Sequence, residues 1–399
     1  MRRPSIQSNA TAAVPNRAHT DMGRALHVLL VSEDPRWIVP VREAVAAEGG
    51  VVETMSARAA IARLAGACED LSHVLVDRRG AGEMLDIFAD LTTDIASAET
   101  ILLVLGARKP ELTGPRAILT ASRRSVTAAL AVPHVRPRDN EPILPASELW
   151  QVVKDEMIRT RYQPIVRMAD RTVTTVEVLA RLNHPVYGAL TPNWFVPRFE
   201  DSGLSFTLTD LVSTHAFADQ TGPHFRGRGL AMAVNYPLNV LAHPLAAASL
   251  DKKRAALGLT PDQVVLELTE SRPVEDFATL GRSLEALRKL SYRISIDDVG
   301  PAVKNLEKLM TLPFTGLKLD KGIVRMLGSA GPGAAVAPRV IEQARSRGLN
   351  VVAEGVETQE TWDRLSALGV QEAQGFFIAR PLPAAAVPVW LDAWRGASV

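Results

Sequence analysis

The sequence predicts an α/β protein of two domains, in which a smaller doubly wound domain precedes a (β/α)₈ barrel. Strand-like and helix-like runs alternate along the 399 residues, and the strand-like runs of the first part are apolar throughout, as in parallel sheets covered on both faces. The second part contains about eight such strands in roughly 240 residues, which is the size and rhythm of a (β/α)₈ barrel.

Composition and charge narrow the classes of function. The formal net charge of +1 gives no electrostatic reason to expect DNA or an anionic membrane as a partner. No apolar run approaches the roughly 20 residues that a membrane helix needs. Cys68 is the only cysteine, which excludes a disulfide framework and a thiolate metal site and suits a reducing compartment. We therefore expect a cytoplasmic globular protein without membrane insertion.

The first globular domain is predicted to cover residues 25–132, after a disordered arm of residues 1–24 that lacks an apolar core. Its strands alternate with helices, which favours a parallel, doubly wound sheet. The predicted strands are His27–Val31, Val51–Thr54, Ser72–Val76 and Thr100–Leu105, and the predicted helices are Trp37–Ala47, Ala57–Ala65 and Glu83–Leu91.

This order of elements resembles a response-regulator receiver domain, in which Asp77 would hold the phosphoacceptor position. The acidic pair usual after the first strand appears as Ser32-Glu33, Gly106 stands where a hydroxyl residue is expected, and Arg136-Pro137 matches the usual Lys-Pro poorly. A receiver needs those groups to hold Mg²⁺ and to read the acyl phosphate. We therefore expect a degenerate receiver that serves docking or dimerisation and in which Asp77 is not phosphorylated.

Residues 133–147 are rich in proline and charge and are predicted to be a semi-rigid linker to the barrel domain, residues 148–399. Ser147–Thr160 has helical periodicity and is predicted to be a helix. The barrel helices clearest by periodicity are Asp276–Leu290, Ala335–Arg347 and Glu360–Leu368, and the predicted strands are Tyr162–Val166, Thr172–Leu179, Leu230–Asn235, Gln263–Leu268, Tyr292–Asp297, Gly316–Leu319, Asn350–Ala353 and Ala373–Ile378. Ala169-Asp170 joins the first two strands as a hairpin, so one strand is expected to run antiparallel to the rest.

Polar side chains recur where consecutive barrel strands end. They are Glu177, Asn235, Glu267 with Glu270 beyond it, the pair Asp297-Asp298, Lys318, and Glu354 with Glu357. Taken alone, Asp298 could cap a turn while Asp297 points into water. Because the carboxyl ends of parallel barrel strands converge on one face, however, these side chains should meet there. Packed carboxylates repel one another unless a cation screens them, so the pattern favours a functional site.

The chemistry of these side chains indicates the cation. Carboxylate and amide oxygens without cysteine or histidine suit Mg²⁺ or Mn²⁺ rather than zinc. Two such ions bridged by one carboxylate, ~3.5–4 Å apart, form the usual clamp for in-line attack on a phosphodiester. A lysine among the carboxylates, Lys318, could orient the attacking water or accept its proton.

The barrel half resembles the EAL domain family of cyclic di-GMP phosphodiesterases over Arg161–Pro383. The motifs that carry the resemblance are Y-Q-P-I-V at Tyr162–Val166, E-V-L-A-R at Glu177–Arg181, H-P at His184-Pro185, E-L-T-E at Glu267–Glu270, D-D at Asp297-Asp298, K-L-D at Lys318–Asp320, A-E-G-V-E at Ala353–Glu357 and Q-G-F at Gln374–Phe376.

The resemblance implies a role for each matching residue. Glu177, Asn235, Glu267 and Asp297 would hold a first Mg²⁺ or Mn²⁺. Asp297 would bridge to a second ion, which Asp298 and Glu354 also hold. Lys318 and Glu354 would be catalytic together with Glu177. Gln163, Arg181, Glu357 and Gln374 would contact or support the substrate, and Glu270 would anchor the loop after the aspartate pair. The implied reaction is hydrolysis of cyclic di-GMP to linear pGpG.

The chain departs from the family pattern in four places. Val178, Leu182 and Pro237 replace an alanine, a tryptophan and a serine, and V-G-P-A-V-K-N at Val299–Asn305 replaces Phe-Gly-x-Gly-x-Ser-Ser. In the family, that loop is thought to couple dimerisation to metal and substrate binding. We therefore expect a phosphodiesterase that forms a homodimer and meets a signalling partner through its N-terminal domain. The alternatives are a cyclic di-GMP receptor with weak hydrolysis, or a barrel that serves only as an interaction scaffold.

Overall fold

The apolar runs of the first domain form a five-stranded parallel sheet. The computed structural model describes residues 26–66, 70–94, 101–106, 117–120, 144–185, 187–241, 245–268, 277–300, 306–327 and 332–396, with Cys68, Val126 and Leu130. In this domain the strands are β1 (His27–Val31), β2 (Val51–Met55), β3 (His73–Asp77), β4 (Ile101–Leu105) and β5 (Ala117–Thr120), and the helices are α1 (Pro35–Ala47), α2 (Ala57–Ala65), α3 (Arg78–Ala81) and α4 (Leu85–Asp94). The order β2-β1-β3-β4-β5 is that of a doubly wound sheet.

Polar residues at the ends of strands and loops begin the helices of this domain. Asp34 caps α1, Ser56 caps α2 and Asp77 caps α3, each by accepting a hydrogen bond from a backbone N–H of the first turn. The predicted single helix Glu83–Leu91 is wrong in extent. Gly82 has a φ of +54°, so α3 stops before it and a 3₁₀ turn, Gly82–Met84, leads into α4. The predicted arm of residues 1–24 and residues 133–143 of the predicted linker lie outside the described residues.

The second domain is a closed barrel of eight strands with one hairpin extension, and the predicted fold class is confirmed. Its strands are β6 (Ile158–Arg167), β7 (Val173–His184), β8 (Gly188–Leu190), β9 (Ala231–Asn235), β10 (Val264–Leu268), β11 (Arg293–Val299), β12 (Gly316–Leu319), β13 (Asn350–Ala353) and β14 (Glu372–Ala373). Its helices are α5 (Ala146–Lys154), α6 (Pro192–Asp201), α7 (Ser205–Thr221), α8 (Leu238–Leu241), α9 (Ala246–Ala256), α10 (Phe277–Lys289), α11 (Leu306–Leu309), α12 (Lys321–Met326), α13 (Val336–Ser346), α14 (Gln359–Ala367) and α15 (Ala386–Gly396).

Strand pairing explains how the barrel closes. The order β14-β13-β12-β11-β10-β9-β7 is parallel throughout, and β6 completes the ring by pairing antiparallel with both β7 and β14. The predicted antiparallel strand is therefore present. β8 pairs only with β7 and lies outside the ring. Among the described residues, no helix combines the length and the hydropathy needed to cross a bilayer.

Several predicted elements of the barrel are wrong in extent. The predicted strands Tyr162–Val166 and Thr172–Leu179 are too short, since β6 and β7 pair with each other from Ile158 and Leu182 onward. Two other elements are predicted too long. The helix over Ser147–Thr160 ends at Lys154, because Glu156 turns the chain with a φ of +50° and residues 158–160 pair with β7. The predicted strand Ala373–Ile378 stops at Ala373, because the chain then turns and the backbone N–H groups of Ile378 and Ala379 both donate to the Gly375 carbonyl at 2.9 Å.

The two domains pack against each other. Helix α2 lies on α15, and one continuous cluster of buried apolar side chains includes residues of both domains, such as Leu64 and Trp390. Polar contacts cross the same boundary. The Arg161 guanidinium, buried in the barrel, lies 3.2 Å from Asp90 Oδ1 of α4.

Candidate active site

A buried lysine lies at the centre of the barrel mouth. Lys318 Nζ is 2.6 Å from Glu354 Oε1, 3.1 Å from Asp297 Oδ1 and 3.3 Å from both Glu177 Oε2 and Glu267 Oε2, and its side chain is 1% exposed. These residues come from β7, β10, β11, β12 and the end of β13. The strand ends therefore converge as the alternation of the sequence predicts.

Amide side chains orient Glu177 from the other side. Asn235 Nδ2 donates to Glu177 Oε1 at 3.2 Å, and Gln374 Nε2 donates to Glu177 Oε2 at 2.6 Å. Gln374 Nε2 also lies 2.9 Å from Gln163 Oε1, and Gln163 Nε2 donates to the Ala379 carbonyl at 2.9 Å. Glu177 is thus held by hydrogen bonds on both oxygens.

A backbone irregularity presents the two adjacent aspartates together. The pairing of β11 with β12 shifts between Ile296 and Val299, and Asp298 has a φ of +53°, a conformation that is strained for a residue with a Cβ. In a regular strand successive side chains point to opposite faces. Here oxygens of Asp297, Asp298 and Glu354 lie within 4.8 Å of one another, so the irregularity builds a three-carboxylate cluster.

Burial and mutual repulsion shift the pKa values of these groups in different directions. Although burial opposes its charge, the surrounding carboxylates hold the pKa of Lys318 well above its usual value. Burial raises the pKa of Glu354 to about 8, against the effect of Lys318, and desolvation beside Asp297 raises the pKa of Asp298 to about 6.

The pKa values of two buried glutamates of the site, Glu267 and Glu177, shift in opposite directions. Burial raises the pKa of Glu267 well above its usual value, and among the described residues its Oε2 has no partner besides the Lys318 ammonium at 3.3 Å. The pKa of Glu177 is lowered in spite of burial, because Lys318 and the amides of Gln374 and Asn235 stabilise its charge. The site therefore holds more potential negative charge than Lys318 can balance.

The donor set fits hard divalent cations. Five carboxylates face one ammonium. Within the described residues, buried Gln374 Oε1 has no hydrogen-bond partner, and Glu267 Oε2 has none besides the Lys318 ammonium at 3.3 Å. The available ligands are oxygens without sulfur or imidazole, the set that Mg²⁺ and Mn²⁺ prefer.

The carboxylates open into a pocket of about 730 Å³, a size typical of small-molecule sites. Gln163, Arg181 and Gln374 line it, and Glu357 lies on its wall in an ion pair with Arg325 Nη2 at 2.8 Å. Phe376, Lys321 and Arg325 also line the pocket, and none of them was predicted to have a role there. Phe376 belonged to a quoted motif, but the two basic residues lie on α12 and carry no local signal.

Glu270 and residues 301–305 of the altered loop lie outside the described residues. Asp77 is in the other domain, where it is buried, accepts a hydrogen bond from Ser32 Oγ at 3.2 Å and caps α3. The roles assigned to individual residues stay predictions.

The protein is a closed (β/α)₈ barrel in which carboxylates, amides and a lysine surround one pocket at the strand ends. It therefore belongs to the class of barrels with an acidic, oxygen-rich site suited to divalent cations. Comparison with known families makes this specific. The EAL domain family matches residues 146–381, and the chain belongs to that family. The resemblance seen in the sequence is confirmed.

Named relatives of the chain include phosphodiesterases. Cyclic di-GMP phosphodiesterase NbdA of Pseudomonas aeruginosa is 35% identical over 253 residues, which are 62% of this chain and 32% of that protein. Cyclic di-GMP phosphodiesterase RocR of the same organism is 31% identical over 226 residues, 56% of this chain and 57% of that protein. The chain thus spans a third to just over half of the length of these relatives.

A solved structure described as the PaMucR phosphodiesterase in complex with c-di-GMP has the same barrel. It is 31% identical and superposes with a TM-score of 0.56, covering 60% of this chain and 97% of that chain.

Proposed function

We propose that this protein is a cyclic di-GMP-specific phosphodiesterase that hydrolyses one phosphodiester bond to give linear pGpG, with two Mg²⁺ or Mn²⁺ ions. The observation that carries the proposal is the position of Lys318 among four carboxylates, three of them buried, at the mouth of an EAL barrel. A pure binding module has no need of so many charges in one desolvated place. The names and complexes of the relatives supply the substrate class.

The donor set divides naturally into two cation sites. Glu177, Asn235, Glu267 and Asp297 would hold the first ion, and Asp297, Asp298 and Glu354 the second. If all five carboxylates are ionised, one ammonium leaves four negative charges uncompensated, the charge that two divalent cations neutralise. Bound there, such ions polarise the phosphoryl oxygens and make water a stronger nucleophile.

The protein's own groups orient the reactants. Lys318 lies where it can orient the attacking water or accept its proton, and in the metal-free chain the surrounding carboxylates raise its pKa against the effect of burial. Arg181 on the pocket wall suits a substrate phosphate. In the net reaction water oxygen bonds to phosphorus, the bond from phosphorus to the ribose 3′ oxygen breaks, and that oxygen takes up a proton from the water.

The test uses the purified full chain with cyclic di-GMP and either Mg²⁺ or Mn²⁺, with pGpG followed by chromatography. We expect product with at least one ion and none in chelator. Glu177→Ala should abolish turnover, because it removes a group that contacts both Lys318 and Asn235. Glu285→Ala, on the exposed surface of α10, is the matched control and should leave turnover unchanged. Absence of pGpG with both ions would refute the proposal.

One observation favours a second candidate, a cyclic di-GMP receptor with weak hydrolysis. Residues 299–305 read V-G-P-A-V-K-N, so the loop after the aspartate pair lacks the serines and the second glycine of the family pattern. Calorimetry in the same buffers separates the two candidates. Nucleotide binding without pGpG would establish the receptor.

The N-terminal domain is proposed to be a degenerate receiver that docks a signalling partner or a second copy of the chain. The order β2-β1-β3-β4-β5 and the engagement of Asp77 as a helix cap support this proposal. Sedimentation of the full chain tests the homodimer, and a monomer at micromolar concentration would contradict it.

A further inference from the structure

The pocket wall formed by Gln374–Pro381 is connected directly to the candidate ligands. Gln374 donates to Glu177 at 2.6 Å, and the Ala379 carbonyl accepts from Gln163. Gly375, Phe376 and Pro381 line the pocket. A displacement of this pocket wall would therefore change both the shape of the pocket and the hydrogen bonds that orient Glu177.

The pocket wall is held by backbone contacts to Val356, so its residues cannot move independently of one another. The backbone N–H of Val356 donates to the Gln374 carbonyl, and that of Phe377 donates to the Val356 carbonyl, both at 3.0 Å. A Cβ on Gly375 would lie 2.2 Å from the Val356 carbonyl oxygen, so the two backbones are in close contact. The wall and the segment that carries Glu354 and Glu357 are thus packed as one unit.

One residue of the wall joins this unit to the N-terminal domain. The Arg380 backbone N–H donates to the Ala65 carbonyl at 2.6 Å, and Arg380 Nε donates to the Gly66 carbonyl at 3.1 Å. These carbonyls end helix α2, where unpaired acceptors and partial negative charge favour a cation. The same guanidinium lies over the Phe376 ring, 4.0 Å from its centroid.

We propose that Arg380 is a positioning residue through which helix α2 of the N-terminal domain sets the nucleotide affinity of the barrel. The inference rests on the proposed function for the identity of the ligand. Arg380 does not itself line the pocket. Its guanidinium contacts the Phe376 ring and donates to the carbonyl at the end of α2. By thermodynamic reciprocity, a change that moves α2 alters binding in the pocket, and binding in the pocket stabilises α2.

The interface should survive loss of the Arg380 side chain, so variants of the full chain can be compared. Helices α2 and α15 keep their apolar contact, Arg161 keeps its ion pair with Asp90, and the backbone N–H of residue 380 is unchanged. Arg380→Gln removes the charge over Phe376, and Arg380→Lys retains it. Arg58→Gln is the matched control, because Arg58 pairs across the same interface with Asp392 at 3.9 Å, and neither residue lines the pocket.

The experiment combines steady-state kinetics on cyclic di-GMP with hydrogen exchange of the nucleotide-free chains. For Arg380→Gln we expect KM to rise by about 5–50-fold with little change in kcat, within the usual range of coupling between sites. Amides of residues 57–66 and 374–381 should exchange faster together. Arg380→Lys should recover part of the KM, and Arg58→Gln should match the wild type in both measurements.

Two results would overturn the inference. One is an unchanged KM in Arg380→Gln, and the other is faster exchange in the pocket wall alone, which would mark a purely local role for Arg380. If the wild type neither binds nor cleaves cyclic di-GMP, the proposed function fails. Hydrogen exchange of the Arg380→Gln variant then tests the coupling between α2 and the pocket wall without any nucleotide. Faster hydrogen exchange in both residues 57–66 and residues 374–381 supports the coupling, and unchanged exchange in α2 refutes it.

Discussion

Replacing Lys318 with methionine tests the electrostatics of the site directly. Lys318 Nζ contacts four carboxylates within 3.3 Å, and methionine keeps the length of the side chain while removing its charge. Deleting one partner of a buried charge cluster costs about 3–5 kcal/mol, because the remaining charges are left uncompensated. At about 2–4 °C per kcal/mol, the metal-free variant should melt about 6–20 °C below the wild type near pH 8.

The pH dependence of that difference has a definite sign. Without the ammonium, the pKa values of Glu267, Asp297 and Glu354 in the folded chain, already raised, lie further above their unfolded values. Such groups contribute stability that is present below the unfolded pKa and is lost as pH rises through the folded pKa. The difference in melting temperature should therefore be small near pH 5 and grow towards pH 9.

Calorimetry in chelator at pH 5, 7 and 9 measures both effects, and added Mg²⁺ or Mn²⁺ should narrow the difference by supplying cations. Lys253→Met is the matched control, because Lys253 pairs with Asp210 at 2.5 Å on the surface, where such pairs contribute about 0–1 kcal/mol. A Lys318→Met variant that melts with the wild type at pH 8, or a difference that does not change with pH, would refute the reasoning.

Three further predictions follow from the same structure. In the metal-free chain the pKa of Glu354 is about 8 and that of Glu267 is raised well above its usual value, so metal binding at pH 7 should release at least one proton, and affinity should rise with pH. Titration calorimetry in buffers of different ionisation enthalpy measures this, and a pH-independent affinity would contradict it. Gly355→Ala should destabilise the chain by about 1–3 kcal/mol and reduce turnover, because Gly355 has a φ of +65° and a Cβ there would lie 2.5 Å from Lys321 Cβ. Gly258→Ala is the control for the cost of the positive φ alone, because Gly258 has a φ of +70° and a Cβ there would have nothing within 4 Å. If melting curves show equal destabilisation in the two variants, the clash with Lys321 contributes nothing. A small-molecule phosphodonor should leave Asp77 unmodified in the intact mass spectrum, because its carboxylate caps α3 and binds Ser32; a phosphoryl adduct on Asp77 would show that the domain is a working receiver.

Short apolar strands were the most predictable part of the molecule. Gly316–Leu319 and Asn350–Ala353 have the predicted bounds, because continuous apolar runs between helix-like segments leave few alternatives. Convergence of Glu177, Glu267 and Asp297 also followed from the sequence, since strands of a parallel barrel end on one face.

Features that depend on distant partners could not be predicted. Phe376 and Ile378 give the last predicted strand an apolar pattern, yet the chain turns there because Val356 takes the backbone hydrogen bonds of Gln374 and Phe377. The positive φ of Asp298 follows from the shifted pairing of β11 with β12. The contact of Arg380 with α2 joins residues more than three hundred positions apart, which no local pattern encodes.

The apolar cluster shared by α2 and α15 bears on how this architecture can change in evolution or by engineering. Grafting a different N-terminal domain onto the barrel would leave the α15 face exposed, and apolar patches of that kind promote aggregation. A functional chimera would need a replacement helix that covers this face and offers carbonyls to Arg380. Transfer of the barrel domain to another protein therefore requires that helix α2, or an equivalent helix, is transferred with it.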